Sequence, residues 1–167
     1  MTTAAKSSLS EAEFRIRTAD ARDVDALATL INDAFAVEQI AIEGDRVDIE
    51  GVRRYMERGA FLLLEDADSL LGCVYAELRG DRGYAGLVSV RPELQMKGLG
   101  RRLMAAAEQY LGDAGCGSVD LRIISARPEL LHFYGKLGYA QTGISPMPVD
   151  TPLKMACHFI HLSKPLR

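Results

Sequence analysis

The middle of the chain carries two closely spaced glycines followed by basic residues, in a segment that reads Gln95-Met96-Lys97-Gly98-Leu99-Gly100-Arg101-Arg102. Glycine lacks the Cβ that would hold a ligand away from the backbone, and the helix predicted to follow presents unpaired N–H groups in its first turn. Lys97, Arg101 and Arg102 add positive charge around the same turn. Because anionic oxygens bind well at the start of a helix, the segment predicts a site for a pyrophosphate.

Two glycines alone are weak evidence, since they could form only a tight turn while the three basic residues make a solvated helix face. Glycine costs about 1 kcal/mol relative to alanine inside a helix, so Gly100 at the start of a helical stripe indicates a compensating role. Other phosphate motifs fit poorly. The chain has no Gly-x-x-x-x-Gly-Lys-Ser/Thr segment, and Leu103 stands where a dinucleotide-binding loop would need its third glycine.

The elements around this segment follow from hydrophobic periodicity and turn residues. Strands are predicted at residues 14–17, 60–64, 70–78, 84–90, 119–124, 139–142 and 155–162. Helices are predicted at residues 24–31, 49–56, 99–111 and 128–137, with a variable loop or broken helix at 37–48. The β-branched strand at 119–124 follows a helix and should lie parallel to its partner. This order predicts a mixed α/β sheet with helices on both faces.

Length and composition predict one globular domain. A chain of 167 residues, 48% hydrophobic and 26% charged, is large enough to bury a continuous core without disulfides or a metal. We expect residues 13–167 to form this domain and residues 1–12, which are mostly small and polar, to be a disordered tail. No segment has the character of a membrane span or of a signal peptide.

Charge and cysteine content narrow the class of protein further. A net charge of −3 and a pI near 5.6 argue against non-specific nucleic-acid binding, which needs a basic surface. Cys73, Cys116 and Cys157 are odd in number, far apart and without metal-ligand spacing, so neither a disulfide framework nor a metal site is predicted. A reducing cytoplasm fits these features best.

A longer pattern extends the glycine segment in both directions. It combines Val88-x-Val90 on the preceding strand, Gln95-x-x-Gly98-x-Gly100 in the loop, and Phe133-Tyr134-x-x-x-Gly138-Tyr139 some thirty residues later. Over roughly residues 14–167 it resembles the GNAT superfamily of N-acetyltransferases. The resemblance implies a mostly antiparallel sheet of about six to seven strands, with a splayed parallel pair at the cofactor site. It also implies acetyl-CoA as the acyl-donor substrate, no metal, and is compatible with a homodimer.

The resemblance also assigns roles at the donor site. Loop amides would hold the CoA pyrophosphate, and backbone groups at Val88 and Val90 would bond the pantetheine arm. The Val90 N–H would donate to the thioester carbonyl, where an oxyanion develops. The implied cofactor-binding residues are Val88, Ser89, Val90, Gln95, Met96, Lys97, Gly98, Leu99, Gly100, Arg101, Arg102 and Arg127.

The catalytic acid and base are predicted with different support. Tyr134 holds the family's tyrosine position, where its hydroxyl would protonate the CoA thiolate; from spacing alone it could equally be a core residue. Tyr84 stands where some relatives carry a glutamate, so the base stays open between Glu77, a water chain and an acceptor that arrives partly deprotonated. Glu77 is also typical of a solvated strand-end charge. Arg127 could contact a CoA phosphate, an anionic acceptor or a carboxylate near the strand end.

These residues predict transfer of an acetyl group from acetyl-CoA directly to a primary amine of a small molecule, or of a peptide or protein. Residues 35–54 and 145–154 are expected to contact the acceptor. The first segment is acidic, which suits a cationic amine or an ordinary solvated loop. Two other classes remain: a non-catalytic acyl-CoA-binding sensor or regulatory module, suggested by Tyr84, and a nucleotide-binding protein, which ATP or NAD would stabilise more than CoA.

Overall fold

A seven-stranded sheet runs through the molecule in the order β1-β2-β3-β4-β5-β7-β6. The computed structural model describes residues 13–67 and 69–166, so the tail predicted at residues 1–12 lies outside the described residues. The strands are β1 Arg15–Thr18, β2 Ala60–Glu65, β3 Leu70–Arg79, β4 Arg82–Val90, β5 Ser118–Ile124, β6 Ala140–Pro146 and β7 His158–Pro165. The helices are α1 Val24–Phe35, α2 Ile49–Arg58, α3 Leu99–Asp113 and α4 Glu129–Lys136.

All neighbouring strands are antiparallel except β4 and β5, which confirms the predicted mixed sheet. Both faces of the sheet are covered. Leu62 and Leu64 of β2 pack with α3 and α4 on one face, whereas Phe61 and Leu63 pack with α1 and α2 on the other. Successive side chains of a strand point to opposite faces, so burial on both sides explains why β2 is a continuous apolar run rather than an alternating one.

Side-chain caps stand at the start of the 3-10 turn that leads into α1 and at the start of α2. The Asp20 carboxylate accepts from the Arg22 N–H, and the Asp23 carboxylate accepts from the Asp20 N–H at 2.8 Å, which forms a capping box just before α1. Asp48 caps α2 by accepting from the Gly51 N–H at 2.6 Å. The Asp48 cap fixes where the connection predicted to be irregular, residues 37–48, ends.

The parallel pair β4 and β5 separates along its length. Pairing covers only residues 82–84 with 118–120, although β4 continues to Val90 and β5 to Ile124. A bulge on β4 accompanies the separation, because Cys73 pairs with Ser89 while Tyr75 pairs with Gly86. At the bulge Leu87 has φ +50°, an uncommon conformation for a residue with a branched side chain. The splayed pair is therefore confirmed, and it leaves a gap in the sheet.

The last two strands differ in their bounds from those predicted. β6 extends to Pro146 rather than ending at residue 142, and β7 begins at His158 rather than at residue 155. β6 is an edge strand and mostly exposed, so it carries no apolar alternation by which its length could be recognised. A proline at its end is tolerated because an edge strand need not donate on its open side.

Gly72 allows β3 and β4 to pack closely beside the bulge, and we expect Gly72→Ala to destabilise the fold. An added Cβ would lie 2.7 Å from the Ser89 carbonyl oxygen and 3.0 Å from Leu103 Cδ1. Overpacking of this kind should lower the free energy of unfolding by about 1–3 kcal/mol, measured by urea denaturation. Gly117→Ala is the matched control, because no atom lies within 4 Å of its added Cβ. Equal stability of the two variants would contradict the assigned packing.

Candidate active site

A cavity of about 600 Å³ occupies the gap between β4 and β5, within the usual size range of small-molecule sites. One end is formed by β4, the loop at residues 94–98 and the start of α3. The other end is formed by residues 34–46 and by the β6–β7 connection at residues 147–152, while β5 and α4 supply the wall between them. The predicted donor and acceptor segments therefore border one continuous space.

The glycine loop has the backbone geometry that an anion site needs. Gly98 stands at the N-cap of α3 with φ +81° and no side-chain cap, so within residues 13–67 and 69–166 the first N–H groups of that helix have no side-chain acceptor. The Gln95 side chain donates to the Val90 carbonyl oxygen at 3.2 Å, which ties the loop to the end of β4. Gly100 also has a packing role, because its added Cβ would lie 3.3 Å from Phe133 Cζ.

The predicted donor-site residues do not all reach the cavity. Its lining includes Val88, Val90, Gln95, Met96, Gly98, Leu99, Gly100, Arg101 and Arg127. Ser89 is buried on the opposite side of β4, and its hydroxyl donates to the Leu87 carbonyl. Lys97 is exposed outside the lining, and the Arg102 guanidinium stacks over the Phe14 ring, 4.9 Å from its centroid.

Backbone direction at the end of β4 places Val90 toward the gap. The Arg91 N–H donates to the Leu71 carbonyl oxygen of β3 at 3.0 Å. Backbone groups of consecutive residues in a strand point to opposite sides, so the Val90 N–H points away from β3 and toward the gap before β5. This is the direction that a donor to a ligand in the cavity must have.

Tyr134 lies on α4 at the cavity wall and is only 7% exposed. Its ring packs edge-on against Phe133 and Tyr139, with centroids 5.0 and 5.8 Å away. Within residues 13–67 and 69–166 its hydroxyl makes no hydrogen bond. Burial raises the pKa of Tyr134, opposed by the positive charge of Arg127. The phenol is therefore protonated at neutral pH and can donate to a ligand.

Glu77 and Tyr84 are paired neighbours on β3 and β4, and only Tyr84 lines the cavity. The Glu77 carboxylate forms an ion pair with Arg79 at 3.1 Å outside the cavity. The Arg79 guanidinium also stacks over the Tyr84 ring, 4.0 Å from its centroid. The Glu77 side chain is 14% exposed, so it is not a solvated strand-end charge, and its role as a base stays a prediction.

Glu38 is a buried carboxylate in the cavity wall, and sequence reasoning did not separate it from its acidic neighbours. It lies in the short 3-10 turn after α1 and is 8% exposed. The Arg127 Nη1 donates to its Oε2 at 3.2 Å, while the Arg127 Nε donates to Glu129 at 3.0 Å. Arg127 therefore contacts carboxylates, one of the three options open from sequence. Burial raises the pKa of Glu38, although Arg127 favours its charged form.

One sequence signal could have identified Glu38. Leu27, Ile31 and Ala34 follow helical spacing along the buried side of α1, and the same spacing continues to position 38 and to Ala41. An apolar residue is expected at that position, so a glutamate there indicates either a mispredicted turn or a functional carboxylate.

The two predicted acceptor segments are joined above their end of the cavity. Ile42 and Leu153 form an antiparallel bridge. The Glu43 N–H donates to the Pro152 carbonyl at 2.9 Å, and the Lys154 N–H donates to the Ala41 carbonyl at 2.8 Å. Residues 41–43 and 152–154 thus form a strap across this end of the cavity.

The described part of the chain holds no group of three or more His, Cys, Asp or Glu side chains placed to bind a metal ion. Among its helices, none has the length and apolar character required to cross a membrane.

Comparison with protein families identifies one match. Residues 24–139 match the model of the acetyltransferase (GNAT) family. The mycothiol acetyltransferase of Actinosynnema mirum is 31% identical over 124 residues, which are 72% of this chain and 42% of that protein. The mycothiol acetyltransferase of Saccharopolyspora erythraea is 30% identical over 106 residues, covering 62% of this chain and 35% of the relative. The chain spans less than half the length of these curated relatives.

Solved structures with the same fold include the ribosomal-protein-S18-alanine N-acetyltransferase from Escherichia coli. Its TM-score is 0.72 at 18% identity, over 91% of this chain and 93% of the other. The yncA protein from Salmonella typhimurium, solved with its cofactor acetyl-CoA, gives a TM-score of 0.73 at 20% identity, over 93% and 95% of the two chains. At these identities the likeness concerns the fold.

Proposed function

The chain belongs to the GNAT family of acetyltransferases, and on that premise we propose that it transfers an acetyl group from acetyl-CoA directly to a primary amine. The observation that carries this proposal is the continuous cavity between the splayed strands, with the uncapped start of α3 at one end and the Tyr134 phenol in its wall. That arrangement suits a long anionic thioester whose reactive carbon must lie beside a proton donor.

The donor half of the proposal assigns one task to each part of the loop and strand. The N–H groups at Gly98 to Gly100 hold the pyrophosphate, with Arg101 supplying charge. Val88 and Val90 bond the pantetheine arm along the edge of β4 that faces the gap. The Val90 N–H then stabilises the oxyanion on the thioester carbonyl, because it is fixed by the strand before the reaction begins.

The chemical half needs a neutral amine and a proton for the leaving group. A lysine-like ammonium titrates near 10.4, so it must lose a proton before it can attack. Attack forms the C–N bond, and collapse of the tetrahedral intermediate breaks the C–S bond. The Tyr134 hydroxyl donates its proton to the departing thiolate and recovers one from the nitrogen of the new amide.

The proposed acceptor is a primary amine of a small molecule, or of a peptide or protein. Its position is the end of the cavity beneath the strap, where the lining is mixed in charge. We also propose a cytoplasmic location, supported by the three cysteines, which are all free. A homodimer stays a prediction from the resemblance.

The test is a CoA-release assay after acetyl-CoA binding has been established by thermal shift. The amines are ethanolamine, spermidine, glucosamine, an alanyl peptide and a lysyl peptide, with acetylated products identified by mass spectrometry. We expect turnover with at least one amine. Tight acetyl-CoA binding without turnover would instead favour the acyl-CoA-binding module suggested by Tyr84. Stabilisation by ATP or NAD that CoA does not match would favour a nucleotide-binding protein.

A further inference from the structure

We infer that Glu38 is the catalytic residue that receives the acceptor's ammonium and removes its proton, with Arg127 as its positioning residue. This inference rests on the proposed function and names the group at the amine end of the same cavity. Glu38 and Tyr134 both line that cavity, and the charge of Glu38 raises the pKa of the Tyr134 phenol, so the two groups lie within electrostatic reach of each other. A base and an acid are thereby placed around one reacting centre.

The burial of Glu38 needs an explanation that packing does not give. A carboxylate removed from water costs several kcal/mol unless it is paired and hydrogen bonded. Arg17 contacts both oxygens of Asp23 at 2.8 and 2.9 Å, whereas Glu65, which lies outside the cavity, is contacted at Oε1 alone. Arg127 contacts only Oε2 of Glu38, and in the described residues Oε1 makes no hydrogen bond. One oxygen of a buried carboxylate is thus free for an ammonium, which supplies up to three donors.

Arg127 is held in a way that suits a positioning role. Its side chain is 20% exposed, and its guanidinium bridges Glu38 on the α1 side to Glu129 at the start of α4. The bridge joins two parts of the chain that are 89 residues apart. It also fixes the carboxylate of Glu38 relative to the helix that carries Tyr134. An arginine is suited to this task because its planar group binds two carboxylates at once.

The surroundings of Glu38 make it a stronger base than a surface carboxylate. Burial is the largest influence and raises its pKa, and the negative charge of Glu129 acts in the same direction. Arg127 and Arg46 oppose the rise. The Tyr134 phenol, which also faces this part of the cavity, is uncharged at neutral pH because burial raises its pKa. A carboxylate with a raised pKa is a better base than one at the surface, provided that it is still ionised.

The protons balance over one turnover. The ionised Glu38 takes a proton from R–NH3⁺, which leaves R–NH2 and a neutral Glu38. The amine attacks, Tyr134 protonates the thiolate and recovers the second proton from the amide nitrogen. Glu38 then releases its proton to solvent, so the sum is acetyl-CoA plus R–NH3⁺ giving R–NH–acetyl, CoA thiol and H⁺. The acceptor class that follows is an amine that is cationic in solution, such as an aliphatic amine.

The experiment compares pH profiles of kcat for the wild-type chain and Glu38→Gln, using the panel amine with the highest kcat/KM. At pH 7 the variant should lose about 100-fold in kcat, the lower range for a general base. The loss should shrink as pH rises toward the amine's own pKa, because the acceptor then arrives neutral. Acetyl-CoA affinity should stay unchanged. Glu57→Gln, an exposed glutamate of α2 outside the cavity, is the matched control and should behave as wild type.

Arg127→Gln gives a second readout that a purely structural role would not produce. Removal of the positive charge raises the pKa of Glu38 further, so the acid side of the kcat profile should move to higher pH. The inference is overturned if Glu38→Gln keeps the wild-type kcat, or loses the same factor at every pH. Absence of wild-type turnover with the whole panel would count against the proposed function instead, so the two failures are distinguishable.

Discussion

Gly98→Glu abolishes acetyl-CoA binding while the chain stays folded: this is the largest effect that the donor site predicts. No atom lies within 4 Å of a Cβ added at Gly98, so the new side chain would enter open space at the cavity lining and not the core. Its carboxylate would stand where the phosphates are proposed to bind and would compete for the same helix N–H groups. We expect the Kd for acetyl-CoA to rise at least about 100-fold, or about 2.7 kcal/mol, by isothermal titration calorimetry.

Backbone strain must be separated from this electrostatic effect, because Gly98 has a positive φ. Gly80 provides the control: it has φ +67°, open space around its added Cβ, and a position in the β3–β4 turn outside the cavity. Left-handed backbone costs a non-glycine residue roughly 1–2 kcal/mol, so both variants should lose similar stability. Gly80→Glu should nevertheless bind acetyl-CoA normally. Normal binding by Gly98→Glu would remove the loop from the donor site.

Local sequence signals predicted most of the fold. Hydrophobic periodicity and turn residues act within a few residues of where they stand, so the order and type of the elements could be predicted. The parallel pairing of β4 and β5 also followed from the helix between them. The bulge at Leu87 was not predicted, because the residue with φ +50° is a leucine and Gly86 directly before it is only a weak signal of a bulge.

The donor and acceptor ends of the site differ in how far sequence could describe them. The donor end is a contiguous loop, whose glycines and basic residues can be recognised along the chain. The acceptor end depends on contacts between distant segments: Glu38 meets Arg127 across 89 residues, and the strap joins Ile42 to Leu153. Side chains along β4 alternate between its two faces, and this alternation buries Ser89 on the face away from the cavity. A motif defined over consecutive residues does not distinguish the two faces.

Tyr134→Phe should separate catalysis from binding and from stability. The variant removes only a hydroxyl that forms no hydrogen bond within the described chain, so the packing of the ring against Phe133 and Tyr139 is kept. Loss of an unpaired buried polar group is neutral or stabilising, so the melting temperature should not fall. If the phenol protonates the thiolate, kcat should fall by about 10³-fold, in the range for a general acid. The Kd for acetyl-CoA should change little, because the ring still lines the cavity.

Tyr110→Phe supplies the matched comparison on α3, since Tyr110 is half-buried and lies outside the cavity lining. It should keep the wild-type kcat and acetyl-CoA affinity. If Tyr134 is the proton donor, steady-state kinetics and calorimetry should show a lower kcat in Tyr134→Phe and no change in Tyr110→Phe. If Tyr134 is only a core residue, both variants should keep the wild-type kcat. An unchanged kcat in Tyr134→Phe would leave this tyrosine with the packing role that its helical spacing alone allows. In that case the thiolate would have to leave unprotonated, or take its proton from the attacking amine.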